Sequence, residues 1–241
     1  MYPRRVAAPR SSVLLCALPR TGTALTGRLL ERNGLGTFGE WFWREDVARN
    51  WKAWGCDSWG DYVQSVLEHG TSDSGVFGVK LMWGYLGDTL FELRRLSREY
   101  DAADLAVLSS VFPRPCFVWL RREDVVMQAV SWVKAVQTGQ WMSGQPVTGE
   151  AKFDFEEIDG LYHLARVQDG SWRRWFEAQR IEPFEIVYEE LCREPERVVA
   201  ETLAFLGVDA EPRVKIPRDL LKQADGMNAE WAERYRQLAA G

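Results

Sequence analysis

Four short, almost unbroken apolar runs constrain this chain more than any other feature: residues 12–18 (SVLLCAL), 76–82 (VFGVKLM), 115–120 (PCFVWL) and 184–188 (FEIVY). A strand with one face in water alternates apolar and polar side chains. A run without alternation is covered on both faces, as in the interior of a parallel sheet. Between the runs the apolar period lengthens to that of helices. Residues 23–32, 44–54, 58–69, 86–98, 102–110, 123–138, 153–179, 189–206 and 228–240 are predicted helical. Ser58 reads as a cap, Glu123 and Asp124 enrich the first turn of 123–138, and Gly207 closes 189–206. Strands alternating with helices make an α/β chain, a three-layer sandwich with a central, mainly parallel sheet flanked by helices. Such sheets bind ligands at the carboxyl ends of their strands. The residues that follow the runs are therefore the informative ones.

The chain has 241 residues, the length of one such domain, with no internal repeat. Residues 139–152, rich in Gly, Pro, Ser and Thr, read as a mobile loop. The net charge of −5 gives no sign of a nucleic-acid-binding surface. Cys16, Cys56, Cys116 and Cys192 form no CxxC pair and read as reduced thiols. Two histidines, His69 and His163, are too few for a His-based metal site, and no metal is expected. The apolar stretch 13–18 is too short for a signal-peptide core or a membrane span. A cytoplasmic location is expected. The tryptophans cluster at Trp41, Trp43, Trp51, Trp54 and Trp59. They form either a stacking surface for a sugar or apolar acceptor, or a well-packed subdomain.

After the first run comes Leu18-Pro19-Arg20-Thr21-Gly22-Thr23-Ala24, which opens a helix. A strand, a Gly/Thr turn and a helix N-terminus bring free N–H groups and the positive end of the dipole together, which suits an anion. Thr21 and Thr23 add hydroxyls, and Arg20 adds a charge. A plain tight connection has the same local pattern. The turn lacks GxxxxGK[ST] and any lysine, which argues against a GTPase or an ordinary kinase. After the third run stand Arg121 and Arg122, whose planar forks of donors suit phosphate, followed by Ser131 and Trp132. Ser131 lies about 13 Å beyond Arg122 along an ideal helix. The two share one phosphate only if Arg122 sits off the helix and folds back. Trp132 could stack on a nucleobase. An arginine pair at a strand end is also a common surface salt-bridge site. Lys80, inside the second run, needs a partner if it is buried.

These blocks resemble the bacterial trehalose 2-sulfotransferases over nearly the whole chain. The resemblance is carried by Pro19-Arg20-Thr21-Gly22-Thr23, Gly39-Glu40-Trp41-Phe42 and Gly78-Val79-Lys80-Leu81-Met82-Trp83. It continues through Asp124-Val125-Val126, Gln128-Ala129-Val130-Ser131 and Ala135-Val136-Gln137-Thr138. It ends with Trp172-Arg173-Arg174-Trp175-Phe176, Glu182-Pro183, Gln223-Ala224-Asp225 and Glu230-Trp231-Ala232-Glu233-Arg234-Tyr235-Arg236. The resemblance implies a P-loop-like fold and 3′-phosphoadenosine 5′-phosphosulfate (PAPS) as co-substrate, with 3′-phosphoadenosine 5′-phosphate (PAP) as product. Pro19, Arg20, Thr21, Gly22, Thr23 and Ala24 would hold the 5′-phosphosulfate. Arg122 and Ser131 would hold the 3′-phosphate, with Arg121 and Trp132 nearby. Glu40 would be the general base, and Lys80 would steady the bridging oxygen and the sulfonate. Trp41, Phe42 and Trp83 would contact a small hydroxyl acceptor, such as a carbohydrate, a glycolipid or a glycosylated natural product.

Pro19 stands where the resembled family usually has Gln, Ala24 where a hydroxyl residue is common, and Arg121 where a His occurs. Residues 44–73 and 142–152 diverge most, so a helical insertion over about 40–73 and the loop are expected to meet the acceptor. The resemblance also suggests a homodimer. A P-loop-like small-molecule kinase and a non-catalytic nucleotide-binding protein remain alternatives, with His163 as the alternative base.

Overall fold

The first apolar run becomes β1 (Ser11–Ala17), buried from Ser12 onward. It pairs in parallel with β2 (Val76–Met82) on one side and with β3 (Pro115–Arg121) on the other. β4 (Phe184–Val187) adds to β3, giving the order β2-β1-β3-β4 with every pair parallel. With strands on both sides and helices above and below, β1 has no polar face, which is why its sequence does not alternate. This computed structural model describes residues 8–142, 144–215 and 226–241. The block Gln223-Ala224-Asp225 lies outside the described residues.

The connections are helical. α1 (Thr23–Arg32), α2 (Arg44–Trp54) and α3 (Trp59–Gly70) join β1 to β2, and α4 (Trp83–Ser97) and α5 (Asp104–Val111) join β2 to β3. α6 (Val125–Thr138) and α7 (Phe155–Gln179) lead to β4. α8 (Tyr188–Arg193), α9 (Pro195–Phe205) and α10 (Gly226–Ala239) follow. The single helix expected over 189–206 is two helices. Pro195 lacks an N–H and occupies the first turn of α9, so α8 ends before it. The helix expected from residue 123 starts at Val125 instead. Asp124 caps it, its side chain accepting from the Met127 N–H at 3.0 Å, and Arg121 and Arg122 are left outside the helix. Ser58 caps α3 through the Asp61 N–H at 3.2 Å.

Three tryptophans of the cluster pack, while Trp43 stays exposed. Trp51, Trp54 and Trp59 stack around the fully buried Tyr62 at ring distances of 5.7, 5.6 and 5.1 Å. The main core lies on both faces of the sheet. The largest fully buried side chain, Trp172 of α7, donates its indole N–H to the Ala17 carbonyl at the end of β1 (3.0 Å). A second cluster joins α6, α7 and α10 through Ala129, Val130, Val133, Ile158, Trp231, Ala232 and Tyr235. That cluster seats α10 so that Asn228, at its first turn, reaches the ends of the strands. Among the described residues no helix is long and apolar enough to cross a membrane.

Candidate active site

The chain leaves β1 toward β2 on one side and returns to β3 on the other, so a crevice opens at the carboxyl ends of these strands. One cleft there is lined by Pro19, Arg20, Gly22, Thr23 and Ala24 after β1, by Glu40, Lys80 and Met82 beside β2, and by Arg122 and Ser131 after β3. Trp141, Met142, Tyr188 and Asn228 complete it.

The turn after β1 directs its polar groups. The Leu18 carbonyl accepts from the Thr21 hydroxyl (2.8 Å), Pro19 from the Gln128 side-chain amide (2.9 Å) and Arg20 from the Arg122 guanidinium (3.0 Å). With its carbonyls occupied on the protein side, the turn presents its N–H groups on the other. Gly22, the N-cap of α1, provides no side-chain cap, so the first N–H groups of the helix remain available to an anion. Gly22 has φ +90°, and a Cβ there would lie 2.3 Å from the Tyr188 ring, so the position requires glycine. Arg20 also holds a left-handed backbone, φ 65°. Its Nε donates to Ser131 Oγ (2.9 Å) and its Nη1 to the Trp141 carbonyl (2.5 Å), tying the turn to α6 and to the loop after it. Burial, reinforced by the nearby Arg122 charge, lowers the Arg20 pKa.

Arg122 folds back from beyond the strand end. Its guanidinium lies 4.8 Å above the Tyr188 ring and 3.5 Å from Glu189. Burial pushes the Tyr188 phenol up to about 12, so a neutral ring faces the cation at neutral pH. Ser131 lines the same cleft as Arg122.

Glu40 reaches the site through an isolated bridge. Gly39 pairs with Val79 at the free edge of β2, its carbonyl accepting from the Lys80 N–H at 2.9 Å. A Cβ on Gly39 would fall 2.6 Å from the Trp41 ring, so the missing side chain makes room for that ring. Glu40 and Lys80 thus share one wall of the cleft. Burial raises the Glu40 pKa, opposed by the Lys80 charge and assisted by Asp46. Burial lowers the Lys80 pKa, opposed by Glu40. Each is the charge partner that the other needs.

Several residues singled out from the sequence sit elsewhere. Arg121 is engaged by Asp169 (3.0 and 2.9 Å) and Glu185 (2.5 Å) and lies over the Trp119 ring, outside this cleft. Thr21 is buried behind the turn. Trp132 turns into the main core. Trp41 donates to the Gly78 carbonyl (3.0 Å), Phe42 packs edge-on against Phe112, and Trp83 packs edge-on against Trp172. None of these three lines the cleft. His163 is exposed on α7, 3.6 Å from Asp159. The sequence reading missed Met82, Trp141, Met142, Tyr188 and Asn228. Tyr188 carried a usable signal, since it follows a strand as Arg121 and Arg122 do.

The model of the Stf0 sulphotransferase family matches residues 12–238. The chain belongs to that family. It is a sulfotransferase. Two characterised relatives are each described as trehalose 2-sulfotransferase. The one from Mycolicibacterium smegmatis is 35% identical over 187 residues, covering 75% of this chain and 67% of the relative. The one from Mycobacterium tuberculosis is 33% identical over 186 residues, covering 76% and 67%. A crystal structure of a sulfotransferase from Alicyclobacillus acidocaldarius superposes with a TM-score of 0.52 at 17% identity, covering 97% of this chain and 96% of that one. It shares the fold of this family member.

Proposed function

We propose that this sulfotransferase moves a sulfuryl group from PAPS to a hydroxyl of a small carbohydrate, with Glu40 as general base. The observation that carries this reading is the convergence of one carboxylate, one lysine and two arginines on a single cleft at the strand ends. The trehalose activity of the relatives makes a disaccharide the first acceptor to try. PAPS supplies a sulfuryl group activated by a nucleotide phosphate leaving group. The turn amides at the start of α1 and Arg20 hold negative charge at the 5′ end. Arg122 and Ser131, which line the same cleft, hold the 3′-phosphate in this reading, Arg122 through a planar fork and Ser131 through a hydroxyl. Glu40 accepts the proton of the attacking hydroxyl, and its partial desolvation strengthens it as a base. Lys80 stands beside it and offsets charge that develops on the bridging oxygen.

Calorimetric titration with PAP, ADP and ATP tests the donor. Tight binding of PAP and weak binding of the other two is expected, because only Arg122 and Ser131 have a use for a 3′-phosphate. Equal binding of all three, or a preference for ATP, would overturn the reading.

A further inference from the structure

α1 carries a glycine in its interior, which costs about 1 kcal/mol relative to alanine and so needs a packing reason. A Cβ on Gly27 would stand 3.1 Å from the Phe38 Cβ and 3.5 Å from the Lys80 Cε. The end of the Lys80 side chain thus lies against α1 at Gly27. Glu31 follows Gly27 by four residues and stands on the same face, one turn on. Its Oε1 accepts from the Phe38 N–H at 2.9 Å.

That bond falls within the segment that carries Glu40. β2 is an edge strand, so the outward groups of Lys80 need partners beyond the sheet. The Lys80 N–H donates to the Gly39 carbonyl (2.9 Å), and the Lys80 carbonyl accepts from the Tyr85 hydroxyl of α4 (3.1 Å). The Thr37 N–H donates to the Gly70 carbonyl at the end of α3 (2.9 Å). Residues 37–39 are therefore tied to β2 and α3 at their two ends and to α1, through Glu31, at Phe38. Glu40 is the next residue.

An amide would accept from Phe38 as a carboxylate does. The carboxylate adds a charge on the face where Lys80 lies. Burial is the main cause that lowers the Lys80 pKa. Glu40 and then Glu31 oppose it, Arg28 of α1 adds to it, and Asp46 of α2 opposes it. Glu31 thus helps Glu40 to keep a desolvated lysine charged, and it also holds the segment that carries Glu40.

We propose that Glu31 is a positioning residue for sulfuryl transfer: its hydrogen bond to Phe38 sets the loop that carries Glu40, and its charge balances the Lys80 ammonium. The inference rests on the reading of Glu40 as general base and Lys80 as its charge partner. Glu31 does not line the cleft, so it acts through these two residues.

Glu31→Gln keeps an acceptor for Phe38 and removes the charge, whereas Glu31→Ala removes both. Lysine labelled with carbon-13 at Cε is followed by NMR through a pH titration of the full chain. The Lys80 signal is assigned by its loss in Lys80→Met. In both Glu31 variants Lys80 is expected to titrate at least about 0.5 pH unit below the wild type, because an ammonium that loses a nearby negative charge gives up its proton more readily. Turnover of PAPS with trehalose is measured in parallel. Glu31→Ala should lose at least about tenfold in kcat, with KM for PAPS within about twofold of the wild type. Glu31→Gln should recover most of that kcat, with the alkaline limb of kcat/KM at lower pH than in the wild type. A glutamate with only a structural role would move neither the Lys80 titration nor that limb. PAP calorimetry and a thermal melt check that both variants keep the donor cleft and the fold. The inference is overturned if Lys80 titrates as in the wild type in both variants, if Glu31→Ala turns over normally, or if Glu31→Gln is as slow as Glu31→Ala. The NMR titration needs no acceptor, so it decides the inference even where trehalose is not sulfated. Glu40→Gln separates the two readings. Normal turnover there overturns Glu40 as base, whereas an inactive Glu40→Gln beside fully active Glu31 variants overturns the role of Glu31 alone.

Discussion

Glu40 and Lys80 oppose each other's shifts, and that opposition has a sign that can be measured. A base works only when deprotonated, and burial holds Glu40 above its ordinary carboxylate value. The acid limb of kcat/KM is therefore expected above the usual glutamate range of about 4.3. Lys80 is the counterweight, so Lys80→Met should slow transfer and move that limb to higher pH. A pH–rate profile that shifts downward or not at all would contradict the pairing. Glu40→Gln should cut kcat by about 10²–10⁴-fold, the worth of a general base, while PAP binding is retained in calorimetry. At Gly22 the limit is steric. Gly22→Ala adds a Cβ at φ +90° against the Tyr188 ring. It should cost at least about 1–2 kcal/mol in urea unfolding and weaken PAP binding in the same preparation.

At the scale of elements, the start of α6 matters most, because Arg122 leaves β3 for the cleft just before it. Asp124 caps α6 at Met127 and receives Arg236 of α10 at 2.8 and 2.9 Å. The ion pair is more than a third exposed and contributes little. The cap contributes about 1 kcal/mol. Asp124→Asn, which keeps the cap, should therefore stay close to wild type, whereas Asp124→Ala should lose about 1 kcal/mol in chemical denaturation. The same cap keeps Arg122 off the helix, so Asp124→Ala should also weaken PAP binding. Element boundaries followed local chemistry. Thr23–Arg32 and Val76–Met82 were legible to the residue because a glycine turn and an apolar run mark their ends. The break at Pro195 was missed: a proline inside a helical pattern stops it, but the apolar period runs on through the proline and reads as one helix.

For the whole molecule, Trp172 joins the layers: it lies beneath β1, is fully buried, and bonds the last carbonyl of that strand just before the anion-binding turn. Trp172→Ala should cost about 3–5 kcal/mol by thermal or urea unfolding. Trp172→Phe should cost less, about 1–3 kcal/mol, because it keeps most of the volume but leaves the Ala17 carbonyl without its donor. The sequence by itself determined the α/β class, the parallel character of the sheet and the strand ends where Arg20, Lys80 and Arg122 stand. Those follow from local rules: burial on both faces removes alternation, and turns need particular residues. Only the tertiary structure decided which of the candidates meet. Arg121 and Arg122 are adjacent and chemically alike, yet one is taken by Asp169 and Glu185 and the other faces the cleft. The tryptophans near Glu40 fitted either a stacking surface or a packed subdomain, and Trp51, Trp54 and Trp59 pack around Tyr62. Trp141, Tyr188 and Asn228 arrive from distant segments. A side chain's partner is set by elements far along the chain, and no period or spacing in one segment contains that information.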